Sequence, residues 1–185
     1  DCNEAGSCVR QTLTSRFGSD ATFVTLKDGT RKVFFVEMGP GGKKIRFATV
    51  TGNTLAHGAV SDLNVAGSSV PQNERAWGVP DSVVLPDGRV RVYWVLADQA
   101  TAKPGLPESV VSATSTDATA SSFVRDPGTR LTGGYVDTDI LRATDGDWLM
   151  MVSTGPGAGT QYLYMATSKD GLAWDVLPNA ISSNS

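Results

Sequence analysis

The sequence predicts an all-β fold made of three copies of one unit, and three observations predict it. Asp-Gly recurs at Asp28-Gly29, Asp87-Gly88 and Asp145-Gly146, at intervals of 59 and 58 residues. Each is followed by an apolar run: Val33-Phe34-Phe35-Val36, Val92-Tyr93-Trp94-Val95 and Leu149-Met150-Met151-Val152. A second marker recurs downstream as Phe47-Ala48-Thr49, Ser112-Ala113-Thr114 and Met165-Ala166-Thr167. A fixed period with strand-and-turn punctuation marks a repeat architecture.

Each element of the unit has its own justification. The first strand is the apolar run before Asp-Gly: Phe23-Val24-Thr25-Leu26, Ser82-Val83-Val84-Leu85 and Ile140-Leu141-Arg142-Ala143. Asp-Gly between two such runs makes a hairpin, because glycine tolerates positive φ. The second strand is rich in β-branched and aromatic residues, which suit a pleated surface. A variable Gly/Pro loop leads to the third strand, which carries the Ala-Thr marker. A tight turn follows at Ser115-Thr116-Asp117 and at Ser168-Lys169-Asp170-Gly171, then a short fourth strand near Phe123-Val124 and Trp174-Asp175-Val176-Leu177. Four antiparallel strands in roughly 50–60 residues is the size of one β-propeller blade. No stretch carries helical periodicity. The predicted organisation is an N-terminal segment over 1–17 and three blades over 18–70, 71–130 and 131–185.

Composition narrows the function classes. Hydrophobic residues make up 40% and charged residues 19% of 185, which excludes a disordered chain and supports one domain with a core. No apolar run approaches the roughly 20 residues of a membrane helix. The net charge of −3 and the lack of a basic run argue against nucleic acid as a partner. Cys2 and Cys8 are too few for a structural zinc site and are expected to form a small disulfide clip, which implies an oxidising, secreted location.

Propellers typically close with four to eight blades, and this chain supplies three. Three blades are expected to expose an apolar face at each end, so a second copy, another chain or a missing segment of a longer propeller is expected to complete the ring.

The segment Val79-Pro80-Asp81-Ser82-Val83-Val84-Leu85-Pro86-Asp87-Gly88-Arg89-Val90-Arg91-Val92-Tyr93 resembles the blade opening of five-bladed glycoside hydrolases of the arabinanase and fructosidase type. Ser168-Lys169-Asp170-Gly171-Leu172-Ala173-Trp174 is similar to the Asp-box turn of sialidase-like propellers, short of one residue between Asp and Gly. The first resemblance implies that the first strand of each blade lines a central channel and that its Asp faces a glycan site. The Asp-box resemblance bears on fold alone, and this superfamily also holds non-catalytic binders.

Glycoside hydrolysis needs two carboxyl groups across a sugar. Asp81 and Asp139 are the expected catalytic pair, each six residues before its Asp-Gly turn. Asp20 lies two positions off that register, since six before Asp28 is Thr22. Asp137 is placed to tune Asp139 by like-charge repulsion. Glu108 and Glu74 are candidate acids in loops, without a motif to fix them. Trp77, Tyr135 and Trp148 are candidates for stacking on sugar faces, whereas Trp94 and Trp174 belong to blade cores. Arg142 is a candidate substrate contact. Clustered carboxylates would also suit a hard cation such as Ca²⁺. Against all of these stands a plainer role, since Asp before a strand also caps turns. Asp28, Asp87 and Asp145 are turn residues, and His57, the only histidine, has no nucleophile motif beside it.

Overall fold

The computed structural model of the chain describes residues 12–13, 16–39, 42–51, 56–66, 76–97 and 108–183. Cys2, Cys8 and Glu74 lie outside the described residues, as does the side chain of Trp77.

The chain forms three sheets in succession, antiparallel but for one short parallel pair in the second, an incomplete propeller. The first holds β1 (Gly18–Thr25), β2 (Arg31–Gly39), β3 (Gly42–Thr51), β4 (Ala56–His57) and β5 (Ser61–Asp62), in the order β1-β2-β3 with both short pieces on β3. The second holds β6 (Val65–Ala66), β7 (Ala76–Val84), β8 (Val90–Ala97), β9 (Glu108–Ser115), β10 (Phe123–Arg125) and β11 (Leu131–Thr132). The third holds β12 (Tyr135–Arg142), β13 (Trp148–Thr154), β14 (Tyr162–Ser168), β15 (Asp175–Val176) and β16 (Ser182–Ser183). A 3₁₀ turn at Pro156–Ala158 interrupts the third unit. The fourth strand of each blade is therefore broken in two: β4 with β5, β10 with β11, and β15 with β16. Residues 65–66 and 131–132, at the edges of the expected blade limits, both belong to the second sheet.

The Asp-Gly hairpins take the expected chemistry. Leu26 and Thr30 bracket the first turn, with Gly29 donating its N–H to the Leu26 carbonyl at 3.0 Å and holding φ at +84°. The Asp28 side chain accepts the Thr30 N–H at 2.9 Å, and Asp87 and Asp145 do the same for Arg89 and Asp147. The Asp-box-like turn is structural too. Asp170 accepts the N–H groups of Leu172 and Ala173, and these bonds, that of Ala173 foremost, hold its carboxyl below the usual range.

Strand parity decides which side chains fill which seam. Phe34 and Val36 turn forward into the first seam and meet Val92 and Trp94 of the second blade. Tyr93 turns forward into the second seam and meets Trp148, Met150 and Val152. Trp94 and Trp174 are blade-core residues, as expected. Trp148 is too, at 3% exposure under the Arg91 guanidinium, which corrects its assignment as a sugar-stacking platform. A cation crosses each seam to the turn of the following blade. Lys32 reaches Ser121 at 3.2 Å, and Arg91 reaches the Asp170 carbonyl at 2.8 Å. Tyr93 donates its hydroxyl to the Gly171 carbonyl, and burial pushes its pKa up to about 12.

The two ends of the arc are covered to different extents. The first blade's backward face of Val33, Phe35, Ala48 and Val50 is buried, with Leu13 and Val60 packed on it. His57 sits beside this cover, its ring nitrogens 2.9 and 3.0 Å from the Gly58 and Thr12 carbonyls, so it is a tether for the N-terminal segment. Phe23, paired with Val33 on that same face, is nevertheless 57% exposed, and among the described residues the forward face of the third blade is open as well, with Leu141 61% exposed.

Candidate functional site

The innermost strand of each blade carries the same irregularity. β1 packs beside β7, and β7 beside β12. Each loses register with its neighbour near its start, at Ser19/Thr22, Gly78/Asp81 and Val136/Asp139. Within each bulge one non-glycine residue adopts positive φ: Asp20 (+52°), Val79 (+51°) and Asp137 (+54°). That conformation is costly for a β-branched residue and concentrates at functional sites. Bulges re-aim the side chains that follow them. Here the re-aimed positions are Thr22, Asp81 and Asp139.

Asp81 is the centre of the arrangement. Its Oδ1 accepts the Thr22 hydroxyl at 3.0 Å and the Ser82 N–H at 2.7 Å. Its Oδ2 accepts the Ile140 N–H at 2.5 Å. One carboxylate thus ties the inner strands of all three blades. Burial raises its pKa above the ordinary carboxylate value, with the bonds from Ser82, Ile140 and Thr22 opposing and the charge of Asp139 adding. Asp139 is exposed on the same forward side of β12. Asp137 is also exposed and accepts the Ser153 hydroxyl at 2.7 Å. The carboxylates therefore sit in unlike environments, the condition for separating acid and base roles.

Asp20 is the residue that the sequence reading placed out of register. It is equivalent to Asp137, both being eight residues before their Asp-Gly turns, a match the spacing already contained. Its Oδ2 accepts the Ser19 hydroxyl at 3.0 Å and lies over Gly78. A side chain on Gly78 would meet that oxygen at 3.2 Å and Val36 Cγ2 at 2.9 Å, so the glycine makes room for the first blade to close on the second. A cavity of about 390 Å³ opens beside Asp20, lined also by Thr12, Arg16, Ser19 and Phe35.

Glu108 begins β9 at the same end of the sheet and is 2% exposed. Its Oε2 is buried without a hydrogen-bond partner, close enough to Gly155 that a Cβ there would stand 3.3 Å away. Tyr135 stands at the start of β12, edge-on to Tyr164 at 6.1 Å. Arg142 is not brought to this group. It lies at the other end of β12, beside the hairpin turns, in a depression with Asp87, Arg89 and Lys169. Among the described residues no group of three or more carboxylate or histidine side chains converges to hold a metal ion, so the described carboxylates make no cage for Ca²⁺.

No known protein-family pattern matches the sequence, and no curated protein matches it. Solved structures do match by shape. An endo-1,4-β-xylanase from Bacteroides thetaiotaomicron superposes at a TM-score of 0.65 with 18% identity, over 95% of this chain and 64% of that one. A fructan 1-exohydrolase from Cichorium intybus does so at 0.67 with 13% identity, over 91% and 33%. An endo-arabinase from Bacteroides thetaiotaomicron does so at 0.58 with 12% identity, over 96% and 60%. This chain therefore spans less than two thirds of the length of each. At such identities the likeness shows the fold, a propeller of the kind glycoside hydrolases use, as the first-strand motif had implied.

Proposed function

We propose that this is a secreted, carbohydrate-active β-propeller protein that takes a glycan at the end of the inner strands that carries Asp20, Asp81, Asp137 and Asp139. The observation that carries the proposal is the threefold bulge, which brings four carboxylates to one end of three neighbouring strands. In the catalytic form of the reading, glycosidic hydrolysis uses paired carboxyls. Asp139, exposed and free to reach a sugar, is the substrate-facing member. Asp81, held by three donors that include the Ile140 N–H beside Asp139, is the paired carboxyl behind it. Glu108 and Tyr135 flank the site as a reserve of acid and a stacking surface. The fold similarity to xylan-, fructan- and arabinan-type enzymes supports the class of partner.

A second reading, a glycan-binding or assembly module without turnover, is favoured by the open third blade. Asp139 lies at its rim, where a neighbouring blade would complete the site.

The test is turnover and calorimetric binding on arabinan, xylan and inulin. Asp139→Asn is expected to lower turnover by at least about a hundredfold with an unchanged melting temperature. Binding that depends on Asp137 and Asp139 without cleavage supports the module. Neither binding nor cleavage of any of the three refutes both readings.

A further inference from the structure

One residue of the candidate site departs from what its two equivalents do. Eight residues before the three Asp-Gly turns stand Asp20, Val79 and Asp137. All three hold positive φ inside a bulge, at +52°, +51° and +54°. Aspartate is among the residues that tolerate this conformation. The Asp20 carboxylate accepts the Ser19 hydroxyl there, and that of Asp137 accepts the Ser153 hydroxyl. Valine has no such bond to make, and its branched Cβ crowds the backbone. The next residue adds to the cost, because Pro80 pushes the residue before it towards an extended backbone of negative φ.

Packing does not account for a valine at this place. Among the described residues Val79 belongs to none of the three apolar clusters. It is half-buried, while Gly78 and Pro80 on either side are buried. The Asp20 carboxylate stands beside it, with Oδ2 3.2 Å from where a Cβ on Gly78 would lie. On the other side β7 packs against β12, which carries Asp137. The bulges of three neighbouring strands thus read carboxylate, isopropyl, carboxylate.

We propose that Val79 is the specificity-determining contact of the glycan site: its isopropyl group takes the C–H face of a neutral sugar ring, between carboxylates that accept the ring's hydroxyls. Ligand sites join an apolar wall to a few placed polar groups in this way. Asp20 and Asp137 are both exposed and would repel a uronate or a sulfated ring on either side. An aspartate at position 79 would relieve the strain, but it would remove the apolar contact and add a fifth carboxylate to an end that carries four. The inference rests on the proposed glycan site and narrows it to uncharged sugars with an apolar face.

The test sets stability against binding in the full chain. Val79→Asn puts a residue that tolerates positive φ where valine is strained. Its melting temperature is expected to rise by about 2–4 °C as the strain is relieved. Its calorimetric Kd for whichever of arabinan, xylan and inulin the wild type binds is expected to weaken at least about tenfold. Val79→Ile, aliphatic and equally strained, should weaken it far less. A residue that only shapes the bulge would gain stability in Val79→Asn without losing affinity, and that outcome overturns the proposal. So does a melting temperature that fails to rise, which would make Val79 a packing residue. Binding of polygalacturonate as tight as that of the neutral glycan overturns it too, while leaving the glycan site in place. A wild type that binds none of the three neutral glycans refutes the glycan site itself, and the assignment of Val79 with it.

Discussion

Thr22 and Asp81, 59 residues apart, meet at 3.0 Å across the first seam, the hydroxyl donating and the carboxylate accepting. This is the first link of a chain that continues from Asp81 to the backbone of Ile140. Removing the donor leaves a partly buried carboxylate oxygen with only Ser82 to serve it. Thr22→Val should cost about 1–2 kcal/mol in urea unfolding. A cost indistinguishable from zero would mean that the seam is held by apolar packing alone.

The raised pKa of Asp81 has a definite consequence for stability. The folded protein binds this proton more tightly than the unfolded chain does. The contribution is therefore fully present below the unfolded value, near 3.8, and is lost as pH rises through the raised folded value. Unfolding free energies of the wild type and of Asp81→Asn should be compared between about pH 3 and 7. The wild type's advantage is expected to shrink with rising pH across that window. A constant or growing advantage contradicts the burial argument.

Two glycines separate backbone strain from crowding. Gly29 and Gly171 both hold positive φ, +84° and +70°. Space around Gly29 is open, whereas a Cβ on Gly171 would lie 2.8 Å from both Arg91 Nη1 and the Tyr93 hydroxyl. Gly29→Ala should cost about 1 kcal/mol from conformation alone. Gly171→Ala should cost about 3 kcal/mol or more, because the second seam must open to admit it. Equal costs would show that the seam yields easily.

Glu108 carries a buried carboxyl oxygen with no donor. Burying such a group costs free energy that a hydrophobic side chain of similar volume does not incur. Glu108→Met should raise stability by about 1–3 kcal/mol in thermal or urea unfolding. If the residue serves the proposed site, the same variant loses glycan turnover as it gains stability. A variant less stable than the wild type would reveal a partner that this geometry does not contain.

Much of this architecture was legible because the repeat is written in local turn chemistry. Asp28, Asp87 and Asp145 announce their hairpins through side-chain bonds to residues two positions on, which nearby sequence alone determines. The bulges were not legible in the same way. They are insertions in a strand pairing, and although the spacing already matches Asp20 to Asp137, only the pairing shows that both sit in a bulge. Strand parity misplaced Trp148, which shares its face with Met150 and Val152 and so turns into the seam. Strand length misplaced Arg142. Five residues from Asp137 along an extended strand is about 16 Å, too far to serve the same sugar. The covered backward face of the first blade depends on Leu13, a residue outside the repeat that no periodicity announces.

The broken fourth strands decide how such a protein can aggregate. Each outer edge is made of pieces two or three residues long, β4 with β5, β10 with β11, and β15 with β16. A fibril grows by adding strands to a long run of unpaired N–H and C=O groups, and pieces this short offer no such run. The adhesive surface and the hydrogen-bonding surface are thus separated. Stickiness resides in a flat apolar face that one neighbour can satisfy, while the outer edges are interrupted and the long edge strands β1, β7 and β12 lie on the inner side of the arc. Overexpressed alone, the chain should fail as amorphous precipitate rather than as ordered cross-β fibres.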